Sequence, residues 1–370
     1  MIDITLIAGA RPNFMKVAPI IHAMDEINSR NDGLFRYRLI HTGQHYDKVM
    51  SDKFFEELNI PHPDVNLGCG GGSQAEQTAA IMVAFEKELL SHPADLVMVV
   101  GDVNSTMACS IVAKKLHTKV AHVEAGIRSF DLSMPEEINR MVTDSITDIF
   151  FTTSLWAGEN LRKSGIEDEH IHFIGNVMID TLLANRHKFI RPGIWERAGL
   201  VEGGYLVITL HRPANVDKKE IFVRNLEEII TSSKDLPLIF PVHPRTAKII
   251  RELDVELSDR VHMIEPLGYL EFNYLVERAS AVLTDSGGIT EETTVMGVPC
   301  MTLRDNTERP ETVVIGTNEL IGTDPANIAP AFERLFAGQW KKGGIPDKWD
   351  GKAANRIVAS LEAMMQKATI

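Results

Sequence analysis

Short apolar runs alternate with amphipathic stretches along the whole chain, and that alternation leaves few folds open. ITLIAGA (4–10), FRYRLIHTG (35–43), DLVMVVGD (95–102), KVAHVEAG (119–126) and DIFFTTS (148–154) read as strands. Between most of them lie segments with helical spacing, such as TMACSIVAKKL (106–116) and INRMVTDSIT (138–147). The pattern restarts at YLVITLH (205–211) and continues through LPLIFPVH (236–243), VHMIEP (261–266), AVLTDS (281–286) and VPCMTLR (298–304). Near-continuous apolar strands separated by helices predict parallel sheets covered on both faces. ITLIAGARP and VITLHRP each run a buried strand into an Arg-Pro turn. Two strand series with a shared opening predict an α/β protein of two doubly wound domains. The first is expected over 1–175 and the second over 176–352, with the seam near 175–195 in a polar, Pro/Gly-marked stretch. A last helix, 353–370, follows a Gly/Pro/Lys-rich loop and is open to packing on either domain, including back on the first.

The chain has 370 residues, enough for two buried cores. It is 44% hydrophobic and 24% charged, the profile of a soluble globular protein. A net charge of −13 repels nucleic acid and anionic membrane, so neither is expected as a partner. An anionic ligand would need a local basic pocket. Cys69, Cys109 and Cys300 are scattered and odd in number, which suits neither a disulfide framework nor a zinc site. MIDITLIAGARP carries Asp3 inside its short apolar run and lacks a signal-peptide core. No apolar run is long enough to cross a bilayer. A cytoplasmic protein is expected.

Sheets of this kind bind ligands outside the C-terminal ends of their strands. After the first strand comes GARPNFMK (9–16). Gly9 permits a tight turn, Arg11 offers a rigid two-pronged donor for phosphate, and Lys16 lies close by. Pro19 would clash deep inside a helix, which predicts a helix start near Lys16 and an anion-favouring helix terminus at that lysine. The plainer alternative is exposed charge beside a proline turn. Asp102 ends the third strand, where an aspartate also serves as a helix cap. Alternation puts His122 and Glu124 on one face, and a carboxylate finishing an apolar strand suits proton transfer. MPEEINR places Glu136 and Glu137 directly after a proline, where acids also complement a helix dipole without any chemistry. Carboxylates in three successive loops of one sheet edge tilt the balance toward acid/base work. In the second half, His211 and His243 end strands beside Arg212 and Arg245. TDSGGITEE (284–292) combines an anion-binding turn, Ser286-Gly287-Gly288, with Glu291 and Glu292 close behind, Glu291 favouring the helix dipole.

His122-Val-Glu124 imitates the H-x-E of zinc deaminases, but the P-C-x-x-C that completes it is absent. A metal held by Asp102, His122, Glu124 and His211 is the less favoured alternative. No P-loop, G-x-S-x-G elbow or strand-linked G-x-G-x-x-G occurs. Neither metal nor cofactor is expected.

Taken in order, GARPNFMK, VVGDVNST, HVEAGIRS, MPEEINR, TLHRP, TDSGGITEE and LRDNTERPETVVIGTN resemble the motifs of UDP-N-acetylglucosamine 2-epimerases, over about residues 5 to 325. The resemblance implies the glycosyltransferase-B fold, two Rossmann-like domains facing a cleft. It implies conversion of UDP-GlcNAc to UDP-ManNAc without a redox cofactor, in polysaccharide biosynthesis. UDP leaves C1 and a proton leaves C2, giving a glycal, and UDP then re-adds. By resemblance Asp102, Glu124 and Glu136 are the acid/base candidates, and His211 protonates or stabilises the leaving phosphate. Arg11, Lys16, Ser286, Gly287 and Gly288 would hold the diphosphate and Glu292 the ribose hydroxyls, with Arg140, His243 and Arg309 as further substrate contacts. A homodimer is implied. Three alternatives stay open: a hydrolysing epimerase releasing ManNAc and UDP, an epimerase of diacetamido-uronic acid UDP-sugars, and a glycosyltransferase of the same fold. HTGQHYDKVMSDKFFEEL and MPEEINR look closer to the uronic-acid relatives, whereas NTERPETVVIGTN looks like the UDP-GlcNAc type, which is favoured. Members regulated by a second UDP-GlcNAc carry an arginine near the start of the Gln-rich segment, where this chain has Ser73.

Overall fold

In the computed structural model the described residues are 1–30, 33–43, 55–217, 219–242, 246–247, 249–250 and 257–367. They form two compact units, Met1–Ala184 with Asp347–Ile370, and Asn185–Pro346.

The sheet of the first unit contains β1 (Ile2–Ala8), β2 (Phe35–His41), β3 (Val65–Asn66), β4 (Leu96–Val100), β5 (Lys119–Val123), β6 (Ile149–Thr152) and β7 (Ile171–Phe173). All pairings are parallel, in the order β3-β2-β1-β4-β5-β6-β7. Every residue of β4 and β6 is buried, as expected for strands hidden on both faces. Helices Gln74–Ser91 and Asn104–Lys115 close one face by packing Ile81, Phe85, Leu89, Cys109 and Val112 on Ile7, Ile40, Val97 and Val99. The order of strand addition reverses between β1 and β4, so the connections leaving them run to opposite faces of the sheet and open the switch point where such sheets bind ligands.

The helix after β1 departs from expectation. It runs Arg11–Arg30, with Pro12 in the first turn and Pro19 well inside. Pro12 is the proline whose missing N–H costs nothing, because the first-turn N–H groups have no intrahelical partner anyway. Pro19 removes the donor that Met15 O would have used, and Thr181 Oγ1 replaces it at 2.5 Å. Lys16 therefore stands in the second turn, not at the helix terminus.

The C-terminal segment belongs to this unit. The side chain of Asp180 accepts from the N–H groups of Ala353 (3.1 Å) and Ala354 (2.7 Å), capping helix Ala353–Gln366 from a distant point of the chain. Burial lifts the Asp180 carboxyl to about 6. Trp349 is buried and donates Nε1–H to Thr153 O, and helix Ala353–Gln366 packs on Arg11–Arg30. Gly175 (φ +94°) is required here, since a Cβ would fall 2.1 Å from Lys348 O.

The second unit repeats the plan with β8 (Leu206–Thr209), β9 (Leu238–Pro241), β10 (Val261–Ile264), β11 (Ala281–Thr284), β12 (Cys300–Thr302) and β13 (Asn318–Leu320), all parallel. Their order is β10-β9-β8-β11-β12-β13, with the switch point between β8 and β11. Leu206 and Ile208 enter a cluster with Phe222, Leu226, Phe240 and Phe332, while Tyr205 and Val207 enter another with Trp195, Leu275 and Val282. The period-two alternation of β8 thus feeds cores on both faces.

Candidate active site

In the first unit, three loops at the C-terminal sheet edge are tied together by polar side chains. Asn13 Oδ1 accepts from the N–H groups of Gly9 (3.0 Å) and Ala10 (2.8 Å), and its Nδ2 donates to Val100 O (3.1 Å). Asn13 so fastens the β1 turn to the end of β4. Next, Gly101 turns at φ +68°, and a Cβ there would lie 2.9 Å from Lys16 Nζ. That space belongs to an ion pair. Lys16 Nζ is 2.7 Å from Glu124 Oε2, with side-chain exposures of 11% and 2%. Glu124 holds φ +73°, rare for a residue with a Cβ, and its N–H and that of Ala125 both donate to Phe151 O. Two backbone bonds and an ion pair keep it there. Arg11, the first helical residue, is partly buried, which lowers its guanidinium below the usual range while Glu57 works the other way.

Helix Pro135–Ile146 supplies the next layer, with proline at its start and Glu136 and Glu137 in its first turn. The two acids diverge. Glu137 is buried and accepts from Ser129 N–H (2.9 Å), Ser129 Oγ (3.0 Å), Phe130 N–H (3.1 Å) and Arg140 (2.8 Å). Burial would raise its carboxyl, but these donors outweigh it and hold the group below the usual carboxylate range. Glu136 is half-buried and makes no side-chain hydrogen bond among the described residues. Arg140 is buried and bonded to both Glu137 and Asp102 Oδ2, so it holds Asp102, while Asn139 Nδ2 donates to the Asp102 carbonyl at 2.9 Å.

Beneath these lies His122, fully buried, with Nδ1 2.7 Å from Asp144 Oδ1 and Nε2 2.8 Å from Gly101 O. Both partners accept, so both ring nitrogens carry protons. Asp144 also takes Arg128 (2.6 Å) and the Gly126 N–H (3.0 Å). Burial pushes the Asp144 carboxyl up, yet His122 and Arg128 bring it below its usual range. With both nitrogens occupied, His122 has no lone pair for a metal. The group of His, Cys, Asp and Glu with metal-like spacing among the described residues is exposed Glu167, Glu169 and His170, away from these loops in the sequence.

In the second unit, β11 leads through Asp285 and Ser286 into helix Gly287–Met296. Ser286 takes the N-cap position but its side chain makes no cap bond, leaving the first-turn N–H groups uncapped by it. A Cβ on Gly288 would meet nothing within 4 Å, whereas one on Gly287 would press on Glu308 Oε1 at 2.8 Å. Glu291 is not a dipole-facing surface acid: it is buried and paired with Arg309. Glu292 is buried too, accepting from Tyr269 Oη (2.9 Å) and Asn273 Nδ2 (3.5 Å). Burial, with Tyr269 and Asn273 opposing, raises it to about 7. His211 follows β8 and is 58% exposed, with Nδ1 2.7 Å from the fully buried Asp285. His243 lies outside the described residues.

Asn13, Asp144, Asp285 and Tyr269 hold these groups, and the sequence alone did not single them out. Asn13 and Asp285 sit inside the quoted motifs, so their position was the available signal. Asp144 and Tyr269 sit inside ordinary helical segments and carry no such mark. The segment 41–58, which looked closer to the uronic-acid relatives, lies mostly outside the described residues. Ser73 caps helix Gln74–Ser91, its Oγ accepting from Glu76 N–H while Glu76 accepts from the Ser73 N–H.

Two parallel sheets in this order make the chain a two-domain α/β protein of the glycosyltransferase-B class. The family model described as UDP-N-acetylglucosamine 2-epimerase matches residues 26–362, and the chain belongs to that family. It is 41% identical over 371 residues to the UDP-N-acetylglucosamine 2-epimerase of Methanocaldococcus jannaschii, covering 97% of this chain and 98% of that one. The UDP-2,3-diacetamido-2,3-dideoxy-D-glucuronate 2-epimerase of Pseudomonas aeruginosa is 40% identical over 325 residues, 86% of this chain and 88% of the relative. The crystal structure of the M. jannaschii enzyme in complex with UDP-GlcNAc and UDP matches with a TM-score of 0.87 at 40% identity, covering 98% of this chain and 99% of that one. No helix among the described residues is long and apolar enough to cross a membrane.

Proposed function

We propose that this protein epimerises C2 of a UDP-N-acetylhexosamine, interconverting UDP-GlcNAc and UDP-ManNAc by elimination and re-addition of UDP. The observation that carries the proposal is the placing of Asp102 and Glu124 on adjoining loops of one sheet edge, held by Arg140 and Lys16 respectively, with Glu136 in the first turn of the helix that follows. Cleaving C1–O leaves positive charge on the sugar ring and negative charge on UDP. The carboxylates answer the first, and Arg11 with the N–H groups at Ser286, Gly287 and Gly288 answers the second. Inverting C2 needs one group to remove a proton and another to return it on the opposite face, a task for the three carboxylates. Glu292 accepts from the ribose hydroxyls, exchanging its contact with Tyr269 for the nucleotide. His211 steadies the departing phosphate.

In D2O, UDP-GlcNAc should acquire deuterium at C2 in both epimers while free UDP stays at its initial level. Steady release of UDP with free ManNAc would make the enzyme hydrolysing instead. A second reading, favoured by the Pseudomonas relative, is epimerisation of the diacetamido-uronic acid UDP-sugar; the ratio of kcat/KM for the two sugars decides between them. Absence of exchange with either one defeats the proposal. We place the protein in the cytoplasm as a homodimer, which light scattering would report as twice the chain mass.

A further inference from the structure

Asp285 is the acid of TDSGGITEE that directly precedes the Ser286 turn. It is fully buried at the end of β11, yet four N–H donors converge on its two oxygens. His211 Nδ1 lies at 2.7 Å, the backbone N–H groups of His211 and Arg212 donate at 3.0 and 2.8 Å, and Asn215 Nδ2 donates at 3.1 Å. A buried carboxylate with that many donors is held as the anion. Burial alone would raise it, but the His211 contact and the amide donors bring it below the usual carboxylate range.

An ionised carboxylate only accepts, so Nδ1 of His211 must carry a proton, and the neutral ring then has its lone pair on Nε2. The same carboxylate also grips the backbone of His211 and Arg212, so ring and main chain are fixed to one anchor. The other charged groups around it are tied among themselves. Arg212 Nε donates to Asp285 O at 3.0 Å, its NH2 is 3.8 Å from Glu308, and Glu308 pairs with Arg304 at 2.6 Å. The described anion bonded to the imidazole is therefore Asp285.

We propose that Asp285 is a positioning residue for His211: it sets the Nδ1–H tautomer and keeps Nε2 pointed outward for the leaving phosphate. This deepens the assignment of His211 to the leaving group and rests on it. The exposed Nε2 first takes a second proton from solvent. As the C1–O electron pair then moves onto the phosphate oxygen, the imidazolium donates an Nε2–H hydrogen bond to that oxygen, and Asp285 balances the ring's charge. Re-addition of UDP reverses the change.

Nitrogen NMR of the imidazole at high pH tests the proposal without any turnover. Wild-type His211 should show a protonated Nδ1 and an unprotonated Nε2, and an Nε2–H ring would overturn it outright. In Asp285→Asn the tautomer should shift toward Nε2–H. The alkaline limb of the kcat/KM profile should move down by about one pH unit as the anion is lost, and kcat should fall on the order of 10³-fold with KM within about threefold. An unmoved limb and tautomer, or kcat and KM changing together, would mean that Asp285 is only structural. Should Asp285→Asn fail to fold, Asp285→Glu keeps an anion near the ring, and the limb and Nδ1–H signal should be retained even where kcat drops. If the tautomer behaves as described but no UDP-sugar exchanges deuterium, the proposed function fails and the His211–Asp285 assignment survives.

Discussion

Each unit holds a histidine against a buried aspartate, and the two pairs end differently. In the first, His122 is sealed, with both ring nitrogens spent on Asp144 and Gly101. In the second, His211 spends one nitrogen on Asp285 and shows the rest of the ring to solvent. The neighbouring acids follow the same division. Glu137 and Asp144 are buried against a cation and further N–H donors, whereas Glu292 is buried against a tyrosine and an asparagine. A titratable group with all its bonding capacity used inside the protein acts as scaffold. One with capacity left over is available for chemistry.

Four experiments press on that contrast. His122→Ala should have the largest effect on folding, about 3–5 kcal/mol in urea titration, because it empties a fully buried ring site and removes one of the donors to Asp144. A loss below about 1 kcal/mol would remove the sealed half of the comparison. His211→Ala should invert the pattern: stability within about 1 kcal/mol, since the ring is mostly exposed, and turnover reduced on the order of 10²–10⁴-fold. Glu292→Gln probes the neutral surroundings of that acid. Its carboxyl is raised from 4.5 to about 7 in the folded chain, so between those values the folded state binds more protons than the unfolded one. Wild-type stability should therefore decline as pH rises through this window, by up to about 3 kcal/mol, and the glutamine variant should not share the decline. Parallel pH curves for the two proteins would contradict the assignment. The smallest effect is expected from Thr181→Val, which deprives Met15 O of its substitute donor. A destabilisation of about 1–2 kcal/mol would give the worth of one sealed neutral bond beside the sealed ion pair.

Much of this architecture was legible in the chain. The apolar runs located β1, β2, β4, β5, β6, β8, β9, β10, β11 and β12; the central ones stand out because parallel strands buried on both faces must be almost wholly apolar, while β10 lies at a sheet edge and is only partly buried. β3, β7 and β13 were missed, being two or three residues long at sheet edges. The helix starts earlier than the expected Lys16, because Pro19 sits in its interior without ending it. Thr181, far along the chain, makes it tolerable, and no local pattern announces such a contact. The same limit applies at the site. Asp102, Glu124 and His211 stand at strand ends, where position is readable. That Glu136 is open while Glu137 is spent on Ser129, Phe130 and Arg140 depends on how a loop folds back, and the dipeptide itself is silent on it.

The first unit takes its last helix from the far end of the chain, so the second unit is an uninterrupted stretch set inside the first. On the ribosome, residues 185–346 are all available to fold before Asp180 can meet the N–H groups of Ala353 and Ala354. The first unit begins earlier in synthesis and finishes later. Until then the Asp180 carboxyl, the carbonyl of Thr153 and the outer face of helix Arg11–Arg30 wait for partners not yet made. Emergence of the segment from residue 347 onward is thus the step that completes the unit bearing the carboxylates.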